Sequence, residues 1–202
     1  MRIAIDARWP ARWLPMLPAP NERSAPLSQV LDLHEVLHAL QPWRAALRDA
    51  LGAEPECIAS QCWLRCGRPP HHWHQDGALH HDFGAQPQPP PQALLAMCTC
   101  WIALTPCGVD APGIEWLRTP LTRLLGVHEL DDSALRARFG REAFVHPAFA
   151  AGEGLLFDGA LLHRTHITAA MHRPRRSIEL RFCAGPAPLR LAAERRLAWP
   201  GG

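Results

Sequence analysis

Two histidines and one aspartate stand in the order His74-x-Asp76 and, much later, His163, and Arg175 follows soon after. Two imidazoles and one carboxylate form the facial triad that holds non-haem Fe(II) on one side and leaves its other coordination positions open. An arginine near such a centre can bind a dicarboxylate co-substrate through a bidentate, charge-assisted pair. The spacing therefore favours a redox enzyme over a binding module.

The His-x-Asp pattern lies in a histidine-rich segment and occurs there twice. The segment reads HHWHQDGALHHD over 71–82, and His80-His81-Asp82 is a second match beside His74-Gln75-Asp76. Because the chain contains 12 histidines, a match of this kind is expected by chance. The pattern alone leaves both a metal site and an incidental histidine cluster open.

Convergence of the three ligands on one metal ion depends on the backbone that carries them. Alternate residues of an extended strand point to the same face, so His74 and Asp76 project together if their segment is extended, and Gln75 points away. His163 would complete the triad from a late strand, across the sheet. We therefore expect two strands to bring these side chains together.

Three arginines, Arg173, Arg175 and Arg176, compete for the role of co-substrate anchor. The segment after them alternates, with Ile178, Leu180 and Phe182 on one face and Ser177, Glu179 and Arg181 on the other. Arg175 shares the polar face. If that face lines the interior of the fold, Arg175 points at the co-substrate and Ser177 can assist. The alternative is a solvated polar face, which is the default for a half-buried strand.

Helices are predicted early in the chain and short strands later. A helical apolar pattern covers 28–51, with Ser28 as its N-cap and Gly52 as its end, and a second helical region covers 119–139. Strands are predicted at 2–5, 58–65, 94–105, 144–149, 154–157, 161–166 and 177–183, and a proline-rich loop at 84–92.

This order of elements predicts an α+β or mainly β fold, with N-terminal helices and with strands closed into a sandwich or barrel. A chain of 202 residues with 48% hydrophobic content can form one packed domain and is too short for two. We expect an irregular and helical part at 1–56, a strand-rich core at 57–185 and a helix-like tail at 186–202.

Composition and charge argue against several classes of partner. The formal net charge is +2 and no basic stripe indicates nucleic acid. No segment is apolar enough to span a membrane, and the first residues lack the apolar stretch of a signal peptide. Among the seven cysteines, only Cys62 and Cys66, near His71 and His72, have a spacing that suggests zinc, and it is loose. We expect reduced, mostly buried thiols in a cytoplasmic protein.

Three segments follow one another along the chain: WHQDG at 73–77, GEGLLFDGALLHRT at 152–165 and RPRRSIELRF at 173–182. They resemble the signature regions of the phytanoyl-CoA dioxygenase family. Their order and broad spacing match the family within residues 60–185. The family comprises Fe(II)- and 2-oxoglutarate-dependent oxygenases on a double-stranded β-helix, or jelly roll, so the resemblance implies a jelly-roll core. It also selects the first His-x-Asp match over the second.

The resemblance implies roles for individual residues. His74, Asp76 and His163 would ligate Fe(II), and Arg175 would grip the distal carboxylate of 2-oxoglutarate. Thr165, Ser177 and Gln75 hold positions that can reach the co-substrate. The stretch RTHITAAMHRP at 164–174 lacks the Gly- and Asn-containing turn common in the family, which leaves the choice of arginine open.

The implied activity is hydroxylation of a small molecule with O2, releasing succinate and CO2. A carboxylate at Asp76 argues against halogenation, because related halogenases have a small residue there. Two alternatives remain: a cupin-type metal-binding jelly roll that does not use 2-oxoglutarate, and a catalytically silent binding domain. The sequence indicates neither the substrate nor the oligomeric state.

Overall fold

The structure of the chain, a computed structural model, describes residues 1–19, 24–66, 69–80, 94, 96–184 and 195–200. Two predicted features fall largely outside these residues: the proline-rich loop at 84–92 and the tail at 186–202. Asp82 of the second His-x-Asp match also lies outside them.

The described α-helices are short. They are α1 (Arg8–Trp13), α2 (Leu33–Ala39), α3 (Arg44–Leu51) and α4 (Asp132–Phe139). The predicted first helix is in fact two, because Pro42, which has no backbone N–H, falls between α2 and α3. Asp32, not Ser28, is the N-cap, and its carboxylate accepts from the backbone N–H of His34. Gly52 ends α3 with a φ of 72°, as predicted.

The predicted second helical region is helical only at its end. Asp131 caps α4 by accepting from the backbone N–H of Ala134. The residues before it contain Pro120 and Gly126 and form bends and one 3-10 turn, Val127–Glu129, because both residue types disfavour the interior of an α-helix. None of the helices in the described part of the chain has the length and apolar character that crossing a membrane requires.

The strands form two antiparallel sheets. They are β1 (Arg2–Ala4), β2 (Ala25–Pro26), β3 (Glu56–Ile58), β4 (Trp63–Arg65), β5 (His74–Gln75), β6 (Met97–Ala103), β7 (Gly113–Leu117), β8 (Phe144–Val145), β9 (Glu153–Asp158), β10 (Leu162–His166), β11 (Ser177–Cys183) and β12 (Arg196–Leu197). The larger sheet has the order β1-β9-β6-β11-β3-β12, with β4 also beside β11 and β2 beside β4, and the smaller sheet has the order β5-β10-β7-β8. The predicted mainly β fold with N-terminal helices is confirmed.

The observed strands differ from the prediction in three places. The strand predicted at 58–65 is two strands, β3 and β4, separated by a 3-10 turn. Strand β7 was not predicted, because the charged Glu115 interrupts its apolar pattern. The described end of the tail contains the strand β12 instead of a helix.

The early part of the chain is joined to the strand-rich core. Strand β1 pairs with β9, and β2 pairs with β4, so residues before 57 contribute to the larger sheet. The proposed boundaries at 56 and 185 remain predictions.

The two faces of the larger sheet have different neighbours. On the outer face, Ile178, Leu180 and Phe182 of β11 belong to one buried cluster with Trp13, Leu37 and other residues of the N-terminal helices. On the inner face, Ser177 and Arg181 are buried as well. The polar row of β11 is therefore not solvated, and it faces the interior between the sheets.

The seven cysteines, Cys57, Cys62, Cys66, Cys98, Cys100, Cys107 and Cys183, are buried and form no disulfide. Their positions agree with the expectation of buried thiols, and the reduced state stays a prediction.

Candidate active site

The two histidines of the predicted triad are cross-strand neighbours in the smaller sheet. Strand β5 pairs with β10 in a register that places His74 opposite His163. Their ring centroids are 4.2 Å apart. The pairing of two short strands therefore brings together residues that are far apart in the sequence.

Asp76 reaches the same place from a turn, not from a strand. Strand β5 ends at Gln75, and a 3-10 turn begins at Asp76, so the predicted extended geometry is wrong at this residue. The turn lies close to the β9–β10 connection, where the Gly77 N–H donates to the Gly159 carbonyl oxygen over 2.8 Å. A Cβ on Gly77 would lie 2.9 Å from that oxygen, so this close approach requires glycine.

One potential ligand atom from each of His74, Asp76 and His163 lies within 4.8 Å of the other two. This is the one cluster of three or more such side chains among the described residues, and Cys62, Cys66, His71 and His72 do not form another. The Nδ1 atoms of His74 and His163 lie 2.7 Å and 3.0 Å from the carbonyl oxygens of His72 and Leu161. Because a carbonyl only accepts, Nδ1 carries the proton, and Nε2 of each ring is left as a ligand atom.

The protonation states of the cluster suit a metal ion. Burial alone would raise the pKa of Asp76, but the guanidinium of Arg181 and the two imidazoles hold this pKa well below its usual range. Burial and the neighbouring His74 lower the pKa of His163 to about 4. At neutral pH the carboxylate is ionised and the His163 imidazole is neutral, which are the states that ligate metals.

A cavity adjoins the two histidines of the cluster. It is lined by Arg65, His71, His74, Trp101, Ile114, His163, Arg164, Thr165, Arg175 and Glu179. Arg175 is 4% exposed, donates from Nη1 to the Gly113 carbonyl oxygen over 2.8 Å and has its guanidinium carbon 5.7 Å from the centre of the Trp101 ring. Its Nε and the hydroxyl of Ser177 are buried and have no hydrogen-bond partner. The Nε of Arg176, which does not line the cavity, has no partner either. Buried polar groups are normally paired, so the unpartnered Nε of Arg175, which does line the cavity, is available to an acceptor there.

The two competing arginines lie elsewhere. Arg173 is exposed and pairs with Asp110 at 3.2 Å. Arg176 donates to the backbone carbonyl oxygens of Leu14 and Pro18, and so holds the N-terminal segment. Of the three candidates, Arg175 alone lines the cavity.

Thr165 lies in the cavity wall beside His71. Its Oγ1 accepts from the backbone N–H of His71 over 3.0 Å, and the Thr165 N–H donates to the carbonyl oxygen of the same residue. The hydroxyl proton of Thr165 is not used in these bonds. The structure therefore places Thr165 with the arginine and the two histidines of the triad.

Gln75, in contrast, points away from the cavity. Its amide nitrogen donates to the carbonyl oxygens of Arg123 and Ala160, and its amide oxygen accepts from the backbone N–H of Leu125. Each polar atom of this buried side chain is therefore engaged in fixing the chain behind the triad. The structure does not bring Gln75 together with the other predicted co-substrate residues.

We expect Gln75→Leu to destabilise the protein by about 2–3 kcal/mol, because it leaves buried backbone groups unpaired. Urea denaturation measures this free energy, and Gln29→Leu, at an exposed position, is the matched control. The KM for 2-oxoglutarate should stay unchanged in the folded variant. A raised KM for 2-oxoglutarate without a loss of stability would instead indicate that Gln75 contacts the co-substrate.

Sequence reasoning missed the residues that surround the carboxylate of Asp76. Arg181 and Thr99 both donate to it, and Glu179 links Arg181 to Arg65. Two signals were available: the polar alternation of β11, and a lone hydroxyl in the otherwise apolar segment MCTCWIA. Neither signal identifies Asp76 as the partner.

A model of the phytanoyl-CoA dioxygenase family matches residues 6–176. EctD from S. alaskensis in its apoform is 18% identical with a TM-score of 0.60, over 88% of this chain and 67% of EctD. EvdO2 from Micromonospora carbonacea var. aurantiaca, complexed with 2-oxoglutarate, is 18% identical with a TM-score of 0.51, over 78% of this chain and 65% of EvdO2. The epimerase SnoN, in complex with Fe3+, alpha ketoglutarate and nogalamycin RO, is 14% identical with a TM-score of 0.59, over 100% of this chain and 82% of SnoN. No curated protein matches the chain in sequence.

The solved structures share the fold of this chain, which confirms the predicted jelly roll. This chain spans about two thirds of the length of EctD. The family match covers most of the sequence and confirms the predicted enzyme class. The chain therefore belongs to the phytanoyl-CoA dioxygenase family of non-haem iron oxygenases that depend on 2-oxoglutarate.

Proposed function

We propose that this protein hydroxylates a small molecule, with Fe(II) held by His74, Asp76 and His163 and with 2-oxoglutarate held by Arg175. One observation carries the proposal: the cluster of three ligand side chains adjoins a cavity that also contains a buried arginine with an unpartnered N–H.

The residues fit the metal that the family uses. Nε2 of each histidine and one oxygen of Asp76 are the available ligand atoms, and Nε2 of His74 lies 3.8 Å from Oδ1 of Asp76. Two neutral imidazoles and one carboxylate leave Fe(II) with positive charge and with open positions for further oxygen ligands. Backbone carbonyls fix both rings, as outer-shell groups do at metal sites.

The residues also fit the co-substrate. Arg175 offers Nε to a carboxylate, Thr165 lines the same cavity, and the unpartnered hydroxyl of Ser177 stands two residues further along the chain. Trp101 and Ile114 line the cavity and provide apolar walls for the methylene groups of 2-oxoglutarate. Burial lowers the pKa of Arg175, but an arginine remains charged at physiological pH, and an anion offsets the cost of that buried charge.

Fe(II) with bound 2-oxoglutarate supplies the activation of O2 and the oxidation of a C–H bond, with succinate and CO2 as by-products. The chain holds the ligand atoms in place, orients the co-substrate through Arg175 and excludes water. Phe157 contributes to this exclusion, because its ring packs edge-on against His163 with centroids 4.8 Å apart.

A small-molecule substrate is supported by a second groove near His163. This groove has a volume of about 680 Å³, within the usual range for small-molecule sites. Its wall is mainly apolar and includes Leu117, Leu121, Leu156, Phe157 and Leu161. Phe157 lines the groove and its ring packs against His163, so one aromatic side chain separates the groove from the metal centre. SnoN binds a small molecule on the same fold, which also supports a small-molecule substrate.

We infer that the protein acts in the cytoplasm, without nucleic acid or membrane partners.

The test is anaerobic addition of Fe(II) and 2-oxoglutarate to the wild-type protein. We expect a metal-to-ligand charge-transfer band in the visible spectrum, and formation of succinate once air is admitted. A cupin-type protein would bind the metal without the band, and a silent domain would bind neither. Absence of both the band and succinate would reject the proposed function.

A further inference from the structure

The carboxylate of Asp76 is held by the sheet opposite the one that carries the two histidines. Arg181 of β11 and Thr99 of β6 are paired across the larger sheet, and both side chains contact Asp76. The histidines stand on β5 and β10 of the smaller sheet. Asp76 therefore bridges the sandwich, with its backbone at the end of β5 and its carboxylate on the larger sheet.

Each bond to this carboxylate occupies a defined lone pair. Thr99 Oγ1 donates to Oδ2 over 2.6 Å, and Arg181 Nε donates to the same oxygen over 3.2 Å. Arg181 Nη2 donates to Oδ1 over 2.9 Å. An ionised carboxylate has about four lone-pair sites, so Oδ2 is saturated and Oδ1 retains one. Oδ1 is also the oxygen nearer to His74 Nε2, at 3.8 Å.

We propose that Thr99 and Arg181 are positioning residues that restrict Asp76 to binding the metal through Oδ1 alone. The inference rests on the proposed metal centre. A carboxylate that chelated through both oxygens would occupy a second coordination position. An oxygenase that must bind a two-oxygen co-substrate and O2 on the same ion needs that position free.

Arg181 is itself fixed before any metal binds. Its Nη1 donates to the Gln61 carbonyl oxygen over 3.1 Å, and its Nη2 lies 3.5 Å from a carboxylate oxygen of Glu179. Glu179 in turn accepts from Arg65 Nε over 2.8 Å. Side chains of Arg181 and Asp76 are 3% and 0% exposed. This buried row of alternating charges holds the Arg181 guanidinium in one orientation. The protein therefore sets the position of Oδ1 of Asp76.

Titration of Co(II), a spectroscopic substitute for Fe(II), into Thr99→Val tests the proposal. The change preserves volume and removes the donor to Oδ2. We expect calorimetry to show metal affinity about 10- to 100-fold weaker than in the wild type, which is the usual effect of losing an outer-shell partner. The visible bands of bound Co(II) should change, because these bands report coordination number. Thr99→Ser retains the hydroxyl and should restore both properties.

Thr105→Val is the matched control. Thr105 accepts from the backbone N–H of Arg176, away from Asp76, so its loss should lower stability without altering Co(II) binding. Wild-type affinity and wild-type bands in Thr99→Val would overturn the proposal. Equal losses of affinity in Thr99→Val and Thr105→Val would also overturn it, by indicating a general effect on the fold. If the wild type binds no Co(II), the metal centre itself is rejected, and this inference with it.

Discussion

Asp76→Asn is expected to weaken Fe(II) binding strongly and to abolish succinate formation while leaving a folded protein. The amide is neutral and has the size of the carboxylate. Because a direct ligand is lost, the metal affinity should fall by more than about 100-fold, which exceeds the usual effect of losing a residue that only contacts a ligand. Stability should fall too, by up to about 3–5 kcal/mol, because Arg181 loses its buried counter-charge. Calorimetric titration, succinate assays and urea denaturation measure the three quantities.

Asp110→Asn is the control for this change. Asp110 pairs with the exposed Arg173 and lies outside the cavity, so the variant should keep the metal and the activity. A charge-transfer band of wild-type intensity in Asp76→Asn would contradict the assignment of Asp76 as a ligand.

Arg175→Met is expected to raise the KM for 2-oxoglutarate by about 30- to 1,000-fold, since truncating one partner of a buried charge pair costs about 2–4 kcal/mol. Metal binding without the co-substrate should be unchanged, because Arg175 does not contact the three ligands. Arg175→Lys should recover part of the affinity, since it restores charge without the bidentate geometry. Steady-state kinetics and the intensity of the charge-transfer band measure the effect.

Arg176→Met is the matched control, since it removes a neighbouring, largely buried arginine that holds the N-terminal segment. We expect lower stability and an unchanged KM. A larger rise of KM in Arg176→Met than in Arg175→Met would show that the wrong arginine was assigned to the co-substrate.

The candidate site was predictable from local sequence patterns only together with the family resemblance, which selected His74 and Asp76 over the second His-x-Asp match. His74 and His163 lie on strands, Arg175 stands two residues before β11, and strand alternation indicates which side chains share a face. The alternation of β11 also predicted that Arg175 would lie on the side of Ser177. What alternation could not decide was whether that face is solvated, because this depends on the position of the smaller sheet.

Partners from distant parts of the chain were not predictable. Arg181 follows Asp76 by 105 residues, and no local pattern pairs them. Asp76 also departs from the strand pattern, because the contact of Gly77 with Gly159 begins a turn there. Gln75 was assigned to the co-substrate by position, although backbone groups near residues 123–125 and 160 bind all its polar atoms.

Strand β5 has a consequence for the stability of the metal-free chain. It comprises two residues at the edge of the smaller sheet, and two residue pairs join it to β10. The side chain of Gln75 and the carboxylate of Asp76 anchor it to other parts of the fold. Metal bound between His74 and His163 would add a cross-link between this edge and β10. Loading of the ion should therefore stabilise this edge more than the rest of the sandwich.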